Sequence, residues 1–236
     1  MKKHHFLLSF FLMVFGINYS QNTKPNQDEL VSSTDSIEAA PKINLDSIHF
    51  APTSEMLDEE SYWKIIEKSL KETKNQEDQE IFLTAELEKL SPKEMIGFRL
   101  RTDKLLFDSY TSNLWCANYI ISNGGADDGF DYFRCWLISR GKEAYYKTLE
   151  NPDYLVNLVG NEPHAYDFEG FWYVANNAFK NLTNKEAEVY IDYENFKTTD
   201  ENYPLLEFNW NVDEPKTMEK VCPVLFKKFM TQLTKK

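Results

Sequence analysis

Ser91-Pro92-Lys93-Glu94 is the stretch that decides the fold. Serine at a helix N-cap accepts a hydrogen bond from the backbone N–H three residues on, and a glutamate at that third position bonds back to the serine. Proline suits the first helical position, where its missing N–H leaves nothing unsatisfied. The four residues therefore predict the start of a helix that runs to about Tyr110. On the N-terminal side, Leu83, Leu87 and Leu90 mark a preceding helix. Before it, Tyr62, Ile66 and Leu70 recur at fourth positions, with Trp63 and Ile65 widening the apolar stripe. Asp58 is placed to cap that first helix, with Leu57 stapled onto Tyr62.

On the C-terminal side the helical pattern continues. A fourth helix is expected over Leu114–Ile121, stopping at Asn123-Gly124-Gly125. A fifth, carrying Phe130, Phe133, Trp136 and Leu137, starts after Asp127 or Asp128 and ends at Gly141. A sixth runs to Leu149 and is broken by Asn151-Pro152. A seventh covers Phe168–Leu182, and Pro223 opens a last helix over Val224–Leu233. Val189–Ile191 and Leu205–Phe208 read as weak strands. The fold class expected is all-α or nearly so, a multi-helix array with an antiparallel helical hairpin turning at Gly124–Ala126.

The chain has 236 residues, 15% of them aromatic and five of them Trp. That is enough for one folded domain with a real core, and too aromatic for a disordered chain. Its ends read differently. Lys2, Lys3, His4 and His5 precede an apolar run from Phe6 to Phe15, and Gly16 and Asn18 lead to Ser20. This is the pattern of a secretory signal, with about half the ~20 apolar residues of a membrane span. Cleavage is expected after Ser20, giving a signal peptide over 1–20, a polar disordered tether over 21–55 and a helical domain over 56–232. No stable membrane span is expected after cleavage, and the destination is the periplasm or the exterior. Within the tether, Ile43, Leu45, Ile48 and Phe50 are candidates for a stray strand or a docking segment.

Losing Lys2 and Lys3 takes the formal charge from −12 to −14. Such acidity repels phosphate backbones, and no basic run is longer than the pair Lys227–Lys228. Nucleic acid is therefore not expected as a partner, whereas a basic protein is. No Gly-x-Ser-x-Gly, phosphate loop or dinucleotide fingerprint occurs, and no cofactor is expected. The mature chain would keep only His49 and His164, too few for a zinc site of several imidazoles. His164, between Glu162 and the acids Asp167 and Glu169, reads as part of a polar loop.

Several stretches are familiar as a set: Tyr62-Trp63, Leu114-Trp115, the run Gly124-Gly125-Ala126-Asp127-Asp128-Gly129-Phe130-Asp131-Tyr132-Phe133-Arg134-Cys135-Trp136-Leu137-Ile138, then Asn151-Pro152-Asp153, Tyr173-Val174-Ala175, Trp210 and Pro223-Val224-Leu225. Together they resemble the bacterial domain-of-unknown-function family numbered forty-two forty, over about Leu57 to Phe229. The resemblance implies a shared helical fold and no particular chemistry. It also implies an intracellular setting, from which the signal-like start departs.

The candidate site is the turn that carries Asp127, Asp128 and Asp131, with Arg134 and Trp115 as binding residues. Three carboxylates there suit a hard cation or a basic partner, or serve more simply as helix caps and dipole partners. Asp131 and Arg134, three apart, can pair on the helix surface. Trp115, Arg134 and Trp136 would form an aromatic pocket around a cation, or belong to the core. Two functions follow. One is a non-catalytic exported binding module of inhibitor or immunity type. The other is a metal-dependent or acid-base hydrolase using Asp127, Asp128, Asp131 and Glu169. Cys116 and Cys135, nine residues either side of the turn, are a possible disulfide if the hairpin faces them, with Cys222 left as a free thiol.

Overall fold

The capping box at Ser91 is present in the computed structural model, which describes residues 50–160 and 166–233. The Ser91 hydroxyl accepts from the Glu94 N–H, and the Glu94 carboxylate accepts from the Ser91 N–H at 2.9 Å. It opens α3 (Pro92–Asp108). The other helices are α1 (Glu59–Glu72), α2 (Gln76–Leu87), α4 (Ser112–Ser122), α5 (Asp127–Ser139), α6 (Lys142–Glu150), α7 (Glu169–Thr183), α8 (Pro215–Val221) and α9 (Pro223–Leu233). Three short 3-10 helices, Pro152–Asn157, Ala187–Tyr190 and Asp200–Asn202, complete the described elements. Among the described residues there is no strand, only isolated bridges. The expected fold class therefore holds.

Asp58 caps α1 by accepting from the Ser61 N–H at 2.9 Å. Tyr62, Trp63 and Ile66 then enter the core, where the Tyr62 ring lies 4.4 Å from Phe98 and its hydroxyl meets Thr102 at 2.9 Å. The α3–α7 contact is the largest helix interface, with α2 and α5 also packed on α7. A second group gathers α4, Pro152–Asn157, α8 and α9. Asp153 ties it together, accepting the N–H groups of both Val224 and Leu225 at 3.0 Å and so capping α9 from a distant part of the chain.

Four expectations change. Residues 50–55 are not tether: the Phe50 ring sits 4.8 Å from that of Tyr190, and Thr53 bridges Ile191. The segment docks because its backbone finds partners there, with the Thr53 N–H donating to Tyr190 O at 2.9 Å. Val189 and Tyr190 belong to a 3-10 helix, while Leu205–Phe208 is irregular and Leu205 is 98% exposed. Of the two expected strands only Ile191 finds a β partner, in its single bridge to Thr53. Helix α8 was not anticipated. Finally, α4 and α5 touch, but each packs chiefly on other helices. The chain does turn at Asn123 and Gly124, both at positive φ, but α4 packs chiefly on α9, α8 and Pro152–Asn157, and α5 on α7, α3 and α6. The signal and tether residues 1–49 and the loop with Glu162 and His164 lie outside the described residues.

All three cysteines, Cys116 and Cys135 of the expected disulfide included, are buried free thiols. Cys135 lies in electrostatic reach of Tyr62, Arg99 and Asp103.

Gly97 marks a close approach of two backbones. Its carbonyl accepts from the Leu57 N–H at 2.9 Å, and an added Cβ would stand 2.7 Å from that same nitrogen. Gly→Ala inside a helix ordinarily gains about 1 kcal/mol. Here the clash is with backbone, which cannot rotate away, and overpacking costs about 1–3 kcal/mol. Urea denaturation of Gly97→Ala is expected to show net destabilisation, with the segment before α1 displaced.

Candidate functional site

The site is built from α3, α5 and the segment Tyr193–Tyr203. Helix α5 is amphipathic, and its inward face carries Phe130, Phe133, Arg134 and Leu137. An arginine in that face must be paired or stacked to tolerate burial. Arg134 is both, and is 0% exposed. Its guanidinium lies 5.1, 4.8 and 4.7 Å from the ring centres of Tyr110, Phe130 and Tyr203. One terminal nitrogen donates to the Leu106 carbonyl and, at 3.1 Å, to the Tyr203 hydroxyl. The other donates to Asp131. Only Nε lacks a partner. Tyr203 completes the cage by stacking on Tyr110 at 4.2 Å, and burial pushes its hydroxyl up to about 12.

One turn of α3 away, Arg99 Nε bonds both oxygens of Asp103 at 2.9 Å. Arg99 and Asp103 line a cleft of about 430 Å³ with Tyr193, Thr199, Asp200 and Glu201. Asp200 is in electrostatic reach of both Asp103 and Asp131. Burial raises the Asp131 carboxyl above its ordinary value, and Asp200 and Asp128 add to that against the pull of Arg134.

Of the residues singled out from sequence, Asp127 and Asp128 lie exposed in the first turn of α5. Neither is the cap. That position is Ala126, with no side-chain cap bond, so the two acids act on the helix through its dipole alone. Asp131 and Arg134 do pair, but with the arginine in the core rather than on the helix surface. Trp115 is half-buried and stacks on Phe130 at 4.6 Å, one ring removed from the guanidinium. Trp136 stands apart, against Phe133, Tyr166 and Arg140. Glu169 is exposed at the start of α7, where it meets the Tyr132 hydroxyl. No group of three or more His, Cys, Asp or Glu is arranged for a metal among the described residues. Arg99, Asp103, Asp200 and Tyr203 were missed. For the first two a signal existed, an Arg and an Asp four apart on one helix, the spacing of a side-chain ion pair.

A sequence model described as "Protein of unknown function (DUF4240)" matches residues 57–181, more than half of the chain. The chain belongs to this family. Comparisons with curated proteins and with solved structures gave no match. The DUF4240 match spans α1 to the greater part of α7, and so includes Arg99, Asp103, Asp131 and Arg134. Asp200 and Tyr203, which close the cage and the cleft, come from the chain beyond it. Among the described residues no helix is long and apolar enough to cross a membrane.

Proposed function

We propose that this DUF4240 protein is an exported, non-catalytic binding module that presents an acidic face to a basic protein partner, as an inhibitor or immunity-type factor would. One observation carries the reading. Asp127 and Asp131 act on Tyr110, Asp128 and Asp200 act on Asp131, and Arg134 beneath them is already engaged by the core. Clustered like charges cost stability, so a face that keeps them is suited to meeting positive charge. The alternative, a hydrolase using Asp127, Asp128, Asp131 and Glu169, needs these carboxylates to gather about one substrate or metal, and among the described residues no such group of three is arranged for a metal.

The test uses mature chain from the periplasmic or extracellular fraction, expected to begin at Gln21, titrated with a fluorescent Lys/Arg-rich peptide. Binding is expected to weaken with added salt, as exposed charge pairs do. It should also weaken as pH falls. A basic ligand favours the ionised carboxylate, so affinity is full above the Asp131 midpoint and is lost as protons bind. Because that midpoint is raised, the loss should begin above the ordinary aspartate value of about 3.9. Affinity that ignores both salt and pH would contradict the reading.

A further inference from the structure

The cleft of about 430 Å³ that Arg99 and Asp103 line is of small-molecule size, and the two sides of it differ. On the α3 side the Arg99 and Asp103 side chains are only 16% and 9% exposed. Arg99 spends its Nε on both Asp103 oxygens, at 2.9 Å each. Its two terminal nitrogens make no hydrogen bond among the described residues, and, unlike Arg134 Nε, neither is sealed from the surface. The outer edge of a guanidinium is a fork of parallel N–H groups that matches a carboxylate. Here that edge is left to the cleft, with Asp103 held behind it.

The other side is a fixed wall. The Asn202 N–H donates to Thr199 O at 3.0 Å, and the Asn202 side chain donates to Thr199 Oγ1 at 2.8 Å. Next along the chain, Tyr203 anchors this turn by stacking on Tyr110 at 4.2 Å. Asp200 and Glu201 project from it into solvent and, among the described residues, neither has an ion-pair partner. The lining thus sets three carboxylates against one guanidinium. A simple anion would be repelled by that balance, and a simple cation would leave the N–H fork of Arg99 unused.

We propose that the cleft binds a free α-amino acid with a cationic side chain, its carboxylate on the terminal nitrogens of Arg99 and its positive groups toward Asp200 and Glu201. Arg99 lies within the DUF4240 match, while Asp200 and Glu201 lie beyond it. The matched region therefore contains the carboxylate anchor, and the extension contains the acids that select for positive charge. Arg99 and Glu201 take no part in the acidic face proposed above, so the site stands apart from that reading.

Calorimetric titration of the full chain with L-lysine tests the proposal, with cadaverine as the same molecule lacking its carboxylate. L-lysine is expected to bind one to one, and cadaverine about tenfold more weakly, the loss that goes with a hydrogen-bonded charged contact. Arg99→Gln combined with Asp103→Asn removes both charges of the pair, so neither is stranded. It should bring L-lysine down to the affinity of cadaverine and leave cadaverine where it was, a split that a merely structural role for the pair would not produce. Glu201→Gln, at an exposed position, should weaken both ligands, and it decides the matter if the double variant does not fold. No saturable binding of L-lysine, cadaverine binding as tightly, or parent-like affinity in Glu201→Gln would overturn the proposal.

Discussion

Arg134→Ala is expected to lower folding stability by about 3–5 kcal/mol, the range for breaking a buried ion pair from one side. The loss has several parts that act together. The Leu106 carbonyl loses its donor from Arg134, Asp131 loses its cation while Asp128 and Asp200 still repel it, and the space among Tyr110, Phe130 and Tyr203 empties. Asp131→Asn on top of Arg134→Ala should recover part of the deficit, because the stranded charge is then gone. Asp127→Asn, at an exposed position without a cap bond, should stay within about 0.5 kcal/mol. Urea denaturation of the four proteins checks the order. Hydrogen exchange on Arg134→Ala should also show the 199–203 segment released, since Tyr203 loses the guanidinium that donates to its hydroxyl and lies against its ring.

Arg99→Ala is expected to cost about as much at neutral pH, roughly 3–5 kcal/mol, and much less in acid. Asp103 is 7% exposed, and both its oxygens accept from Arg99 Nε. Burial already raises its carboxyl against the pull of Arg99, and removing the arginine removes that pull. The sign follows. A carboxyl whose folded value lies above its unfolded one costs stability when ionised, in full above the folded value. The cost disappears below the unfolded value, about 3.9. The deficit of Arg99→Ala relative to the parent should therefore shrink as pH falls from 7 toward 4. A deficit that is constant with pH would show that Asp103 is not stranded as a charge.

The readable parts of this chain were the ones whose causes are local. Ser91-Pro92-Lys93-Glu94 and Asp58 act within one turn of the helices they start, so their caps appear where expected. The periodicity of Tyr62, Trp63 and Ile66 named core residues for the same reason. What escaped depends on residues far apart. Asn151-Pro152 could be seen ending a helical stretch, but not that the next residue, Asp153, caps α9 some seventy residues on. Asp131 and Arg134 could be read as a pair from their spacing, though not that the arginine is buried. Tyr203, which closes its cage, sits in a stretch with no period at all. Matching offsets from the turn place Cys116 level with Cys135, but all three cysteines are free and buried, and α4 packs chiefly on α9, α8 and Pro152–Asn157, which no local pattern announces.

The central claim is that the acidic face binds a basic partner through charge that the fold leaves uncompensated. It is tested most directly by Asp127→Asn, Asp128→Asn and Asp200→Asn combined, with Asp131 kept so that Arg134 stays paired. Exposed charge pairs contribute roughly 0.2–1 kcal/mol each, so three together should weaken binding of the Lys/Arg-rich peptide about tenfold. The account predicts that loss, with a smaller dependence on salt and a urea midpoint at or above the parent's. Parent-like affinity in a variant that folds normally would contradict it.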